Sequence, residues 1–202
     1  NLHVIGKIMG VAALFSVLSI SLTIFIGRFF YPPRSGNLLI YEKLLSNRDK
    51  FKKFVIINDI YAGFCVGTNN IANVVAPLII FWRFPAIGLF VLVGFFFGLG
   101  AFLWGNKVIQ SVSKEIVPVG EFSASVVSSI TATFVLIASS LGLPTPYVQF
   151  TTFSMLGISA VKDGFRATAS KGIVKRIFIV WLLVPIFTFI LSYGLHVLWR
   201  VR

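Results

Sequence analysis

The polar residues able to act on a ligand fall in two short stretches of an otherwise apolar chain. The first is Thr68-Asn69-Asn70-Ile71-Ala72-Asn73, with three asparagines in five positions. On a helix, Asn69 and Asn73 are four apart and Asn70 and Asn73 three apart, so each pair shares a face. Carboxamides donate and accept hydrogen bonds without carrying charge. Their chemistry is binding: of an anion through N–H, or of a cation through C=O. Gly63 and Gly67 precede the cluster and Pro77 follows it. That pattern predicts a membrane helix broken near the midplane, whose exposed amides and carbonyls bind ions. The plainer alternative is amide glue between helices. The second stretch is Ser139-Ser140-Leu141-Gly142-Leu143-Pro144-Thr145-Pro146-Tyr147-Val148-Gln149, followed by Thr151, Thr152 and Ser154. Proline can start a helix but does not continue one. A helix beginning near Tyr147 would aim free N–H groups and its positive dipole end inward, as an anion requires. The same residues would equally make a tight outer turn between two full spans.

Little else in the chain could do chemistry. The single cysteine, Cys65, lies in an apolar run and reads as a small buried hydrophobe. The two histidines, His3 and His196, sit at opposite ends of the chain. No metal cluster and no Ser/His/Asp arrangement can be assembled from these residues. The expectation is a protein that is not an enzyme and carries no cofactor or metal. Asp59 lies some two turns before Gly67 and could carry a proton, although a carboxylate near the first helical turns is also favoured by the dipole alone.

The elements that must position these residues are set by composition. Of the 202 residues, 57% are apolar and 12% charged, and 22 are Phe. A soluble domain carries about 25% charged residues, and one of this size could not hide so much apolar surface. The chain therefore reads as an all-α polytopic membrane protein. Spanning a bilayer takes about 20 apolar residues. Five apolar runs approach or exceed that length: 8–30, 54–82, 85–104, 122–165 and 173–199. The fourth is long enough for two helices meeting at a break, either as two spans or as a re-entrant hairpin.

The formal charge of +12 is concentrated in loops. Arg28 to Lys53 holds seven basic and two acidic residues, and Lys162 to Arg176 five basic and one acidic. The positive-inside rule places both in the cytoplasm. Threading the runs on that basis makes 31–53 a cytoplasmic linker and puts the C-terminus outside a cell membrane. Residues 1–30 then form one helix, and 54–202 a unit with two helix breaks. No basic stripe with interleaved aromatics suggests nucleic acid; the partner is the lipid bilayer. Asn1 stands close to an apolar run that is too long for a signal peptide, so a longer protein is expected.

The two motifs together resemble a known family. Gly67-Thr68-Asn69-Asn70-Ile71-Ala72-Asn73 is similar to the G-A-N-D-V-A-N signature of the inorganic phosphate transporter (PiT) family, and Gly142 to Gln149 to its G-L-P-V-S-T-T-H motif. Trp104-Gly105, Ile116-Val117-Pro118 and Trp181 to Pro185 also resemble the second half of that family. The resemblance covers 54–200. It implies an inverted-repeat transporter with broken helices, of which this chain is the second half. Residues 8–30 become the last helix of the first repeat, and the missing first-half repeat becomes a partner. A homodimer is also compatible.

The departures from the family pattern bear on cargo. Asn70 stands at the family's sodium-binding Asp, Gln149 at its His, and Ser128 at an upstream Glu. The neutral asparagine and the Pro-x-Pro-x-x-Gln sequence resemble the family's sulfate permeases. Hydrogen phosphate can donate a proton to a carboxylate, whereas sulfate only accepts. The resemblance thus implies an alternating-access oxyanion transporter, sulfate first. Its binding residues would be Thr68, Asn69, Asn70, Asn73, Thr145, Tyr147, Gln149, Thr151 and Thr152. Asn70, Ser128 and Asp59 are the candidates for coupling to a proton or sodium. The alternatives are a sodium- or proton-coupled phosphate symporter, and a non-transporting membrane subunit packed against a partner.

Overall fold

In hydrocarbon every backbone polar group must be satisfied within its own segment, which makes helices the natural spanning structure for this sequence. The computed structural model describes residues 2–30, 46–82, 85–115, 117 and 119–200. Its helices are α1 (Leu2–Phe30), α2 (Arg48–Trp82), α3 (Ala86–Glu115), α4 (Glu121–Ser140), α5 (Tyr147–Asp163), α6 (Phe165–Ser170) and α7 (Gly172–Arg200). No strand occurs among the described residues. The helices α1, α2, α3, α4 and α7 are long and apolar enough to cross a membrane. The protein is a polytopic all-α membrane protein.

Two boundaries differ from expectation. Of the linker expected at 31–53, residues 31–45 lie outside the described residues, and Arg48 to Lys53 already belong to α2. These are mostly good helix formers, and Asp49 in the first turn complements the dipole. More important, α2 is not broken at its asparagines. It runs continuously through Thr68 to Asn73, with Pro77 inside it. Pro77 removes one helical hydrogen bond, having no N–H to give the carbonyl of Asn73, and its ring crowds that carbonyl, yet the helix continues through it. The second break is present. At the end of α4, Leu143 N–H bonds Ala138 O at 2.9 Å and Gly142 N–H bonds Ser139 O at 2.9 Å. This is a Schellman cap, with Gly142 at φ 69° supplying the left-handed residue.

Interhelix contacts fix the directions. A Cβ on Gly157 would lie 3.0 Å from Ile20 O and from Thr23 Cβ, and one on Gly27 3.3 Å from Val161. The rings of Phe15 and Phe150 lie 5.9 Å apart. Numbers rise together along both helices, so α1 and α5 are parallel. By the same reading α2 and α4 are parallel, because Asn58 meets Ser125, Tyr61 meets Thr133 and Asn69 meets Ser139. The helices α4 and α5 form an antiparallel hairpin between these partners, with Val127 beside Leu156 and Ile158 and with Val135 and Ala138 beside Phe150. The Phe153 ring packs on Phe178 and Trp181, at 6.0 Å each, and holds α7 antiparallel to α5.

The hairpin ends inside this bundle. Its tip lies level with Asn69 of α2 and close to the level of Phe15 of α1. At 1.5 Å per residue, both helices continue about 20 Å past it. The α7 helix passes it as well, since Trp181 is already level with Phe153.

At the hairpin base, polar groups tie α5 to α6 and to the junction between α6 and α7. Lys171 Nζ donates to Asp163 Oδ2 at 2.7 Å and to Ser159 Oγ at 2.8 Å, and Ser159 and Thr168 share a hydrogen bond of 3.0 Å. The hydrogen bond from Lys171 holds the Asp163 carboxyl below its ordinary range, with the lysine's charge adding to the effect. A depressed carboxyl stabilises the fold above the unfolded carboxyl's range and loses that contribution as pH falls through the lowered value. Melting in detergent should therefore fall below about pH 4, and Asp163→Asn should flatten that acid limb while lowering stability slightly at pH 7. An acid limb of equal size in the variant would show that other carboxyls cause it.

Candidate functional site at the hairpin tip

One stripe of α2 faces the hairpin. Its residues Asn58, Ala62, Cys65 and Asn69 are all buried and recur at helical spacing. Near the base, Asn58 Nδ2 donates to Ser125 O at 3.1 Å, and Asn58 Oδ1 accepts from Ser129 Oγ. At the top, Asn69 is only 3% exposed. Its Nδ2 donates to Ser139 Oγ at 3.1 Å and to Thr145 Oγ1 at 3.4 Å. Asn73 Nδ2 in turn donates to Asn69 Oδ1 at 3.4 Å. Thr145 is 4% exposed.

Two backbone features converge here. The α5 helix starts at the tip with Pro146 at its N-cap and no side chain capping it. The backbone N–H groups of Gln149 and Phe150 bond Pro146 O, while those of Tyr147 and Val148 are left without intrahelical acceptors. On the α2 side, the Asn73 carbonyl lacks its helical donor because of Pro77. Neutral donors and a helix N-terminus thus meet at the tip, and the freed Asn73 carbonyl lies a turn further along α2. Among the described residues no group of His, Cys, Asp or Glu could hold a metal.

The expected site residues are only partly gathered. Asn69, Asn73 and Thr145 meet at the tip. Asn70 is half-buried and lies 100° round the helix from Asn69. Thr68 is exposed and donates to the carbonyl of Cys65 at 2.7 Å. Tyr147 and Gln149 are half-buried in the first turn of α5. Thr151 and Thr152 give their hydroxyl protons to Tyr147 O at 3.1 Å and Val148 O at 2.8 Å. They do not point free donors at the tip in this conformation, because a helical threonine readily bonds the carbonyl one turn back. Asp59 is exposed and Ser128 half-buried, each about 16 Å down its helix from Asn69 and Ser139, although the Asp59 carboxylate is within electrostatic reach of the Tyr147 hydroxyl.

Sequence reasoning missed Ser139, Asn58 and Ser129 as partners. Asn58 was detectable: it stands four, seven and eleven positions before Ala62, Cys65 and Asn69.

The model of the phosphate transporter family matches residues 5–192. The chain belongs to the phosphate transporter family. Within the family, it is 28% identical over 202 residues to the sulfate permease CysP of Bacillus subtilis, a match covering 94% of this chain and 57% of that protein. It is 25% identical over 148 residues to the sodium-dependent phosphate transporter 1-A of Danio rerio, covering 67% of the chain and 22% of the relative. Against the sodium-dependent phosphate transporter 2 of Xenopus tropicalis it is 24% identical over 167 residues, covering 74% and 25%. The chain thus spans just over half of the sulfate permease and about a quarter of these phosphate transporters. No solved structure matches it. The tip that α2 and the hairpin build lies inside the segment matched by the family model.

Proposed function

We propose that the chain is the second half of a secondary transporter whose cargo is an inorganic oxyanion, with sulfate the preferred one. The observation that carries this reading is the uncharged tip. Asn69 and Thr145 are buried, Asn73 lies exposed beside them, and with the first amides of α5 they form a hydrogen-bonding cluster that contains no carboxylate. A doubly charged anion that only accepts hydrogen bonds is well served by amides, hydroxyls and a helix N-terminus. The sulfate permease among the relatives points the same way. Alternating access would come from movement of the hairpin against α2, loaded from the half of the transporter that this chain lacks. Asn70 and Gln149 border the tip and would face that half, while Tyr147 packs against the Phe15, Val135 and Phe150 cluster.

The sodium-dependent relatives favour a second reading, phosphate with a coupled cation. The Asn73 carbonyl is an oxygen ligand of the kind a hard cation prefers. Competition decides between them. Full-length protein in liposomes should take up labelled sulfate, and a tenfold excess of phosphate at pH 7.5 should leave that uptake within about twofold, a difference well under 1 kcal/mol. Uptake of phosphate that excess sulfate fails to inhibit would overturn the sulfate assignment.

A further inference from the structure

A groove of about 490 Å³ opens at the other end of the hairpin from the tip, lined by Ser21, Ile24, Phe25, Arg28, Phe29 and Phe165. Arg28 stands in the last turn of α1, level with the hairpin base, where Gly27 meets Val161. It is the only charged residue in the lining. The described residues' ion pair at this end joins Lys171 to Asp163, so that carboxylate's charge is already answered. The three phenylalanine rings are 58 to 68% exposed, and the Phe25 and Phe29 rings lie side by side at 6.4 Å, tilted by 54°. From Arg28 to Ser21 the groove runs about 10 Å along the helix, toward the interior of the apolar run.

We propose that this groove holds an anionic phospholipid, with its phosphate on Arg28 and an acyl chain laid over Phe25, Ile24 and Phe165. The chemistry selects that occupant. A free oxyanion would meet one guanidinium and be left against four apolar side chains, which costs more than the single contact returns. A lipid presents both halves of the match: an anion for the guanidinium, and a chain for the rings and Ile24. Arg166 follows Phe165 directly, and the surrounding stretch from Lys162 to Arg176 is net basic, so the local field also favours an anionic head group over a zwitterionic one. Basic pockets between membrane helices are built for this purpose.

The test uses the purified full-length protein in vesicles of equal phosphatidylglycerol and phosphatidylcholine, released into the mass spectrometer with bound lipid retained. Wild type should retain phosphatidylglycerol preferentially. Arg28→Gln should lower that retention about fivefold, with an unchanged melting temperature in detergent. Arg176→Gln, in the same basic stretch but outside the groove, should retain it as wild type does. Phe25→Ala should lower retention of both lipids. Millimolar inorganic phosphate should displace none. Equal loss in Arg28→Gln and Arg176→Gln would mean diffuse charge attraction. Displacement by inorganic phosphate would mean a free-anion site, and equal retention of the two lipids, or a second copy of the chain in place of lipid, would mean another occupant. Each of these results overturns the proposal.

Discussion

Asn69→Ala should reduce oxyanion uptake by full-length protein in liposomes at least tenfold, the largest loss of any single side chain at the tip. Two effects combine. The substitution removes the amide that bonds both Ser139 at the end of α4 and Thr145 in the turn, so the tip loses its tie to α2. It also leaves the buried Thr145 hydroxyl and the half-buried Ser139 hydroxyl without their donor, at a cost of about 1–2 kcal/mol in stability. Positioning matters more than stability here, because a shift of about 1 Å in a binding constellation can cost about a hundredfold in rate. Asn70→Ala should do less, since Asn70 faces 100° away from the tip contacts. Melting in detergent separates the effects: Asn69→Ala should still fold cooperatively while failing to transport. If Asn70→Ala abolishes uptake and Asn69→Ala does not, the cargo contacts the face of α2 turned away from the hairpin contacts.

Gly157→Val should destabilise the chain by about 3 kcal/mol and abolish transport, the largest packing effect available. The α1 and α5 helices approach so closely that a Cβ at 157 would lie 3.0 Å from a backbone oxygen, Ile20 O, and a further side-chain atom of Thr23 lies at 3.2 Å. A flexible side chain could move aside; a helical carbonyl cannot, so the helices must separate. Small residues permit such approach in membrane helix pairs, where packing rather than the hydrophobic effect drives association. The parallel pairing of α1 with α5 would open along Ser16, Ser19 and Thr23. A matched control is Gly98→Val in α3, whose added Cβ meets nothing within 4 Å; it should change stability by less than about 1 kcal/mol. Equal losses in the two variants would show that β-branching in a helix, not helix contact, is responsible.

How much of this was legible in the sequence varies from element to element. The apolar runs located the long helices, and Gly142-Leu143-Pro144 located the turn, because a left-handed glycine and a helix-starting proline have local causes. The motif pair pointed to the family that the whole-chain match shows. The asparagine cluster read as a helix break because glycine, asparagine and proline are poor helix residues singly. In the fold, the asparagines find partners on α4 and on each other, and α2 continues through Pro77 despite the backbone bond lost there. Asp59 drew attention as the only carboxylate near the start of the polar span, while its neighbour Asn58 sits on the buried stripe and makes the contacts. The depth of the hairpin tip was not legible at all. It depends on the register of α2 against α4 and of α1 against α5, set by contacts such as Asn69 to Ser139 and Gly157 to Thr23, which join residues far apart in the chain.

The central claim is that an oxyanion binds at the uncharged hairpin tip. Its most direct test is sulfate-dependent thermal stabilisation of the purified full-length protein in detergent at constant ionic strength. A ligand at a hundredfold above its dissociation constant adds about 2.7 kcal/mol to the stability of the state that binds it. Wild type should melt several degrees higher in sulfate than in chloride, and Asn69→Ala and Thr145→Ala should lose most of that shift. No sulfate-dependent shift in wild type, or an undiminished one in both variants, would contradict the account.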